Sequence, residues 1–264
     1  MSKYITHFQT ESEYQAALQN IELPNVSLVD ELGEVHYHRA LYGAHAGDIC
    51  LYDVAEGQKF FVTANDWNLT SYPTASYPIV GIAIADEGAS GVTLVSTLFS
   101  DSNGSQTTVR NRTMKLISDN INFGLTNYSK QQAAITDFNG KSNTATIIAA
   151  IKAYDLANST DNLTGCIGGA IQAFAPTGTS AGDWYIPSAG EINVFSSTNR
   201  SIISNTLNTI KSSDENLAVI INPGSVCLSS TSATNSNMWA LNDSLGYNST
   251  SKTGTFTLRP FTIV

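Results

Sequence analysis

The side chains of this sequence that could do chemistry are three cysteines, a carboxylate and a guanidinium late in the chain, and two alternating histidines. Cys50, Cys166 and Cys227 lie far apart, with neither Cys-x-x-Cys nor Cys/His ligand spacing. An odd count without a framework reads as free, buried thiols, and implies neither a disulfide ladder nor a zinc site. Glu191 and Arg259 could form a catalytic carboxylate–arginine pair. Glu191, however, stands three residues after Ser188, the spacing of a capping box, which gives its carboxylate a role at a helix start. Arg259 is expected to bridge to a carboxylate or to carbonyls beneath the terminal strand. His36 and His38 alternate on one strand and so face one side, a spacing that metal sites use. Without a third ligand the His36/His38 face reads as a surface or interface feature, which His7 and His45 could join only by tertiary accident. No Ser/His/Asp arrangement, Walker loop or dinucleotide fingerprint occurs. No catalytic residue, metal or cofactor is therefore expected.

These residues need elements to hold them. Thr179 to Gly182 reads as a loop, and Trp184-Tyr185-Ile186 as a bulky strand-like run that ends at Pro187. Ser188 then caps a helix expected over 188–197, carrying Ile192, Val194 and Phe195, with 199–211 as a further helical stretch. Apolar spacing predicts another helix over 143–157. Ile167 to Phe174, with Gly168-Gly169 inside it, reads equally as a buried helix or a strand. Upstream, Asp48–Asp53, Lys59–Thr63, Ile79–Ala85 and Val92–Leu98 are predicted strands, the pattern of a small barrel or sandwich. The N-terminal stretch carries a second capping box, Thr10 to Glu13, opening a short helix through Ile21. Val26–Val29 and Val35–Tyr37 come next as a hairpin. The predicted division is 1–45 as an attachment or oligomerisation module, 46–108 as a small β subdomain, and 109–264 as the main domain. The polar segment 100–108 marks the boundary or an exposed loop. One helix and one hairpin are too small to be stable alone, so residues 1–45 must pack on something.

Composition excludes several classes. The 264 residues include 42% hydrophobic ones, enough for a sizeable core, but only 13% are charged. A net charge of −9 without a basic patch argues against nucleic acid and anionic lipid as partners. No signal core opens the chain and no apolar run is long enough to span a bilayer, which predicts synthesis in a cytoplasm without membrane insertion. Asn-x-Ser/Thr triplets at Asn68, Asn103, Asn111, Asn158 and Asn248 are what so Asn- and Ser-rich a chain produces by chance.

The order Trp184-Tyr185-Ile186-Pro187-Ser188, Gly190-Glu191-Ile192, Leu228-Ser229-Ser230-Thr231, Trp239, Gly246 and Leu258-Arg259-Pro260-Phe261 resembles C-type-lectin-like domains of the formylglycine-generating and sulfatase-modifying type. The upstream run Ile135 to Thr144 is similar to segments in structural proteins of gut bacteriophages, including the crAss-like group. The resemblance covers roughly residues 130–264. It implies an α+β fold: a β-rich N-terminal part, then a lectin-like domain with two or three helices flanking irregular antiparallel sheets. It makes Asp183, Trp184, Pro187, Glu191 and Arg259 fold determinants. It also places a ligand-binding surface in Ser232 to Thr253, with Asn235, Asn237, Trp239, Asn242 and Tyr247 as candidates, residue types that supply adaptable hydrogen bonds and rigid contacts. Formylglycine-generating enzymes hold copper on two reactive cysteines, for which Cys166 and Cys227 are the candidates in this half. Cys227, just before Leu228-Ser229-Ser230, reads instead as a packing substitution. Calcium-dependent lectins need several carboxylates around a Glu-Pro-Asn-type loop, but Pro187 follows Ile186 here. The implied protein is a virion head fibre, tail fibre or decoration protein, made in the host cytoplasm and displayed on the virion surface. Residues 1–45 would meet a capsid or other virion protein, the chain would form a homotrimer, and the lectin-like end would contact host-surface glycan or protein. An enzyme of the formylglycine-generating type and a bacterial surface adhesin are the rival readings.

Overall fold

The computed structural model describes residues 44–64, 75–107, 114–117, 121–210, 227–241 and 246–264, and the strand backbones of 27–29 and 35–37. The expected N-terminal hairpin is present: β1 (Ser27–Val29) pairs antiparallel with β2 (Val35–Tyr37). The helix expected over 10–21, His7, His38 and the side chain of His36 lie outside the described residues.

The fold is α+β. Its spine is a five-stranded antiparallel sheet built from β3 (Ile49–Asp53), β4 (Gln58–Val62), β5 (Ile79–Ala83), β6 (Thr93–Val95) and a strand from the chain end, β14 (Phe261–Ile263). The order across the sheet is β14-β6-β5-β3-β4. Near-continuous apolar runs such as Ile49-Cys50-Leu51 and Phe60-Phe61-Val62 fit a sheet covered on both faces. Ile49, Leu51, Phe60, Val62, Ile82 and Val95 join one buried cluster, while Cys50, Phe61, Val80 and Leu94 join another. The β3–β4 turn is fixed locally: Asp53 Oδ1 accepts from the amides of Ala55 and Glu56, and Gly57 takes φ +69°. The segment expected to be a boundary holds a short hairpin, β7 (Phe99–Ser100) with β8 (Gln106–Thr107), whose Asp101 accepts from the amides of Asn103 and Ser105.

A two-stranded ladder joins β9 (Met114–Lys115) to β13 (Thr255–Phe256). The second main sheet has β10 (Cys227–Thr234), β11 (Asn237–Leu241) and β12 (Tyr247–Ser251) in sequence order, all antiparallel. Tyr185 bridges the two halves. Its amide and carbonyl both bond Phe261 on β14, so the Trp184–Ile186 run continues the five-stranded sheet outward.

The helices are α1 (Gln131–Ala134), α2 (Gly140–Asn158), α3 (Ile167–Ala173), α4 (Ala189–Asn193) and α5 (Arg200–Ile210), with a π-helical turn, Val194–Thr198, between the last two. The open choice over 167–174 falls to helix, and Gly169 lets it approach: a Cβ there would stand 2.3 Å from the Leu163 carbonyl oxygen. The helix expected over 143–157 starts three residues earlier. Its first residue is Gly140, where a Cβ would lie 2.2 Å from Glu191 Oε2 and 2.7 Å from the Tyr185 ring. The helix thus begins against the capping box of another helix, a contact that no spacing rule signals.

Candidate functional site

The motif residues converge on one buried polar seam. Glu191 Oε2 accepts from the Ser188 amide (2.7 Å) and the Ser188 hydroxyl (2.9 Å), and Oε1 accepts from the Tyr185 hydroxyl (2.9 Å). The Glu191 amide donates back to Ser188 Oγ, closing the capping box. Beside it, Asp137 accepts from the Asn139 amide and side chain, from Asn143, and from the Thr231 hydroxyl at 2.8 Å. Thr231 in turn accepts from the Ala189 amide. Thr144 Oγ1 accepts from the Ile186 amide, and Tyr247 donates its hydroxyl to the Ala189 carbonyl. Asp137, Thr144, Ser188, Glu191 and Thr231 are all buried. Buried polar groups are stabilising only when their partners are complete, and here the partners come from four separated segments.

Burial pushes the Glu191 carboxyl up, with Asp137 adding to it against the opposing bonds from Ser188 and Tyr185. The Tyr185 hydroxyl is raised by burial first and by the adjacent Glu191 second. The carboxylate serves as a capping acceptor. Arg259 lies 1% exposed, its guanidinium carbon 4.6 Å from the Phe99 ring centre and 5.9 Å from that of Phe195. Nη2 donates to the Thr97 carbonyl at 3.2 Å. Burial lowers its pKa to about 10. Trp184 is buried edge-on to Phe174 and donates its indole N–H to Thr179 Oγ1. Asp183 caps the Ser180 amide at 2.7 Å, and its carbonyl accepts from Thr262. Pro187 accepts at its carbonyl from the Ser230 amide, tying the motif to β10.

The candidate ligand residues divide. Asn235 is exposed and accepts from Asn127, and Asn237 is half-buried and donates to Ser249 on β12. Trp239 and Tyr247 are only 8% and 7% exposed, so they present almost no surface to a ligand. Their polar groups are bonded inside the fold: the Trp239 indole N–H donates to the Tyr128 carbonyl, and the Tyr247 hydroxyl to Ala189. Asn242 lies outside the described residues. What the second sheet offers outward is polar: Asn248, Ser249 and Ser251 on β12 are exposed.

The thiols lie inside the fold. Cys166 belongs to one core cluster and Cys227 to the other, and all three cysteines are free and buried. Burial raises the Cys166 thiol and pushes Cys227 up to about 11 and Cys50 to about 12, the reverse of what a nucleophile or metal ligand needs. Among the described residues no group of three or more His, Cys, Asp or Glu could hold a metal ion.

Lys252 is a buried cation that the sequence did not single out. It donates to the carbonyls of Asn235 (2.7 Å) and Ile121 (3.2 Å) and stands 4.0 Å over the Phe123 ring. Burial lowers its pKa from 10.5 to about 8. Between those values the unfolded chain binds a proton that the folded chain does not, so stability rises with pH. Thiols held above their ordinary 9.0 act in the opposite direction at higher pH. The expected result is that the wild type gains stability relative to Lys252→Met from about pH 7.5 to about pH 9 in urea titrations. A constant difference would mean that folding leaves the ammonium's pKa where the unfolded chain has it.

Sequence reasoning also passed over a cleft of about 690 Å³ between the β3–β4 hairpin and the 178–183 loop. Tyr52 and Lys59, cross-strand partners on the β3–β4 hairpin, line it together with Glu87 and Asp183 from two other segments. The sequence holds no signal for it, because the hairpin, Glu87 and Asp183 are joined by no common motif.

No protein-family model matches the chain, and no curated protein does. Among solved structures, a fimbrial protein from Bacteroides ovatus matches at 18% identity over 88% of this chain, with a TM-score of 0.37. The chain spans 47% of that protein's length. A likeness this distant carries no argument about function.

Proposed function

We propose that the chain is a bacteriophage virion structural protein, a head fibre, tail fibre or decoration protein, without enzymatic activity. Residues 1–45 attach it to a capsid or other virion protein and hold it as a homotrimer. The rest is displayed on the virion surface for contact with host glycans or proteins, in a C-type-lectin-like arrangement. The observation that supports this reading best is the burial, among the described residues, of the carboxylate, guanidinium and thiols that could react. Glu191, Arg259, Cys166 and Cys227 lie inside the fold, while β12 turns amide and hydroxyl side chains outward. Such a surface binds weakly at one site, and copies held together by an oligomerising end raise avidity without new contacts.

Light scattering on the full chain and on residues 46–264 tests the assembly. A trimer that falls to monomer on truncation is expected. A full chain that stays monomeric would sink the fibre reading.

A further inference from the structure

Helix α2 buries Thr144, Ile147 and Ile151 on one side. On the other side Ala145, Ala149 and Leu156 are exposed, Leu156 at 87%. Their steps of four and seven residues place them in one row along the helix, the spacing with which a second helix packs. Lys141 and Lys152, both exposed, border that row along one flank. Phe138, 57% exposed, stands just before the helix begins.

Charge on this stretch has one sign. From residue 121 to residue 153 the charged side chains are Lys130, Lys141, Lys152 and Asp137, and Asp137 is buried in the seam. Asp155, near the helix end, is taken up by Thr160, Asn162 and Leu163 of the loop that follows. The three lysines make no ion pair among the described residues. In a chain of net charge −9, cations beside an exposed apolar row fit an acidic partner with an apolar face.

Such a segment lies at the N-terminal end, outside the described residues. Its sequence reads as a capped helix through Ile21, with Tyr14, Ala17, Leu18 and Ile21 on one face. Glu13 belongs to the capping box, which leaves Glu11 and Glu22 along one flank of that face. Glu11 and Glu22 are eleven residues apart, and so are Lys141 and Lys152. On helices both intervals span about 16 Å, so two acid–lysine pairs form together whichever way the helices run. We infer that residues 10–22 of one copy dock on the Ala145–Leu156 face of a neighbouring copy. The alanines let the two helices approach closely, and Leu156 meets the apolar face of the incoming segment. This inference rests on the homotrimer reading and names its contact. Each copy gives its segment to the next and receives one in turn, a head-to-tail arrangement that closes as a ring of three.

The test is sedimentation equilibrium on the full chain across a concentration series, with circular dichroism to check that each variant is folded. Leu156→Glu should raise the concentration at which the trimer dissociates by about tenfold or more. So should the pair Lys141→Glu with Lys152→Glu, and the pair Glu11→Lys with Glu22→Lys. The second pair makes the chain less negative, so a general charge effect would tighten the trimer where this contact loosens it. Combining both pairs restores opposite charges across the contact and should return dissociation toward the wild-type value. A trimer indifferent to Leu156→Glu and to both charge reversals overturns the docking and leaves the trimer standing. A combined variant no tighter than either pair alone overturns it as well. A wild-type chain that is monomeric at every concentration defeats the homotrimer reading itself, and the docking with it.

Discussion

Replacing Glu191 by alanine is expected to lower the unfolding free energy by about 3–5 kcal/mol, a large share of an ordinary domain's stability. The carboxylate is the acceptor for the Ser188 amide, the Ser188 hydroxyl and the Tyr185 hydroxyl, all in a buried setting. Truncation leaves three donors without it, and each such orphan costs roughly 1–3 kcal/mol unless water enters. Glu191→Gln separates this from a charge effect. Its amide oxygen can accept from Ser188 while its NH₂ meets the Tyr185 oxygen, so most of the seam survives. Because burial raises the Glu191 carboxyl, its contribution to stability is complete at low pH and declines as pH rises through the folded pKa. The glutamine variant, with nothing to ionise, should lack that decline. Urea midpoints for both variants across the acid range check both statements. A glutamine variant as unstable as the alanine one would mean that ionic charge, and not acceptor geometry, holds the helix start.

Arg259→Ala is expected to cost a similar amount, about 3–5 kcal/mol, for a different reason. Its side chain fills space between Phe99 and Phe195, its charge faces both rings, and Nη2 satisfies the Thr97 carbonyl. Truncation opens a cavity, removes ring–cation contacts and orphans an acceptor. Arg259→Met restores most of the volume without burying a charge, and should recover more than half of the loss. Should methionine be as harmful as alanine, the guanidinium's bonds outweigh its volume. The two variants, compared by urea or thermal unfolding, decide between packing and charge.

What the sequence made legible was local. Ser188 and Glu191 are three residues apart, so their capping box could be read from spacing alone, and so could the hairpin of 27–29 with 35–37. The strands over 49–62 arise from β-branched and aromatic runs around the Asp53–Gly57 turn. What stayed hidden was long-range. Thr231 reaches Asp137 across the whole helical region, and Phe261 supplies the edge strand beyond Val95. Nothing in either neighbourhood announces its partner. The composition of 232–253 suggested a wet binding loop. Yet the indole of Trp239 and the phenol of Tyr247 each have one polar atom and one internal acceptor, and the rest of each ring is apolar and packs inward. Residue type alone does not say which side of a strand faces water. The cleft lined by Lys59, Glu87 and Asp183 stayed hidden for a third reason: it forms only where separate segments meet, and Asp183 was legible as a fold determinant, not as part of a cleft wall.

The central claim is that the motif residues lock the fold, with the amides of Ile186, Ser188, Ala189 and Gly190 bonded into one buried seam. Native-state hydrogen exchange on these amides tests it most directly. They should exchange only through global unfolding, with an opening free energy equal to the stability from urea denaturation. If they instead open well below that value while the five-stranded sheet stays protected, the seam is not what holds the structure together.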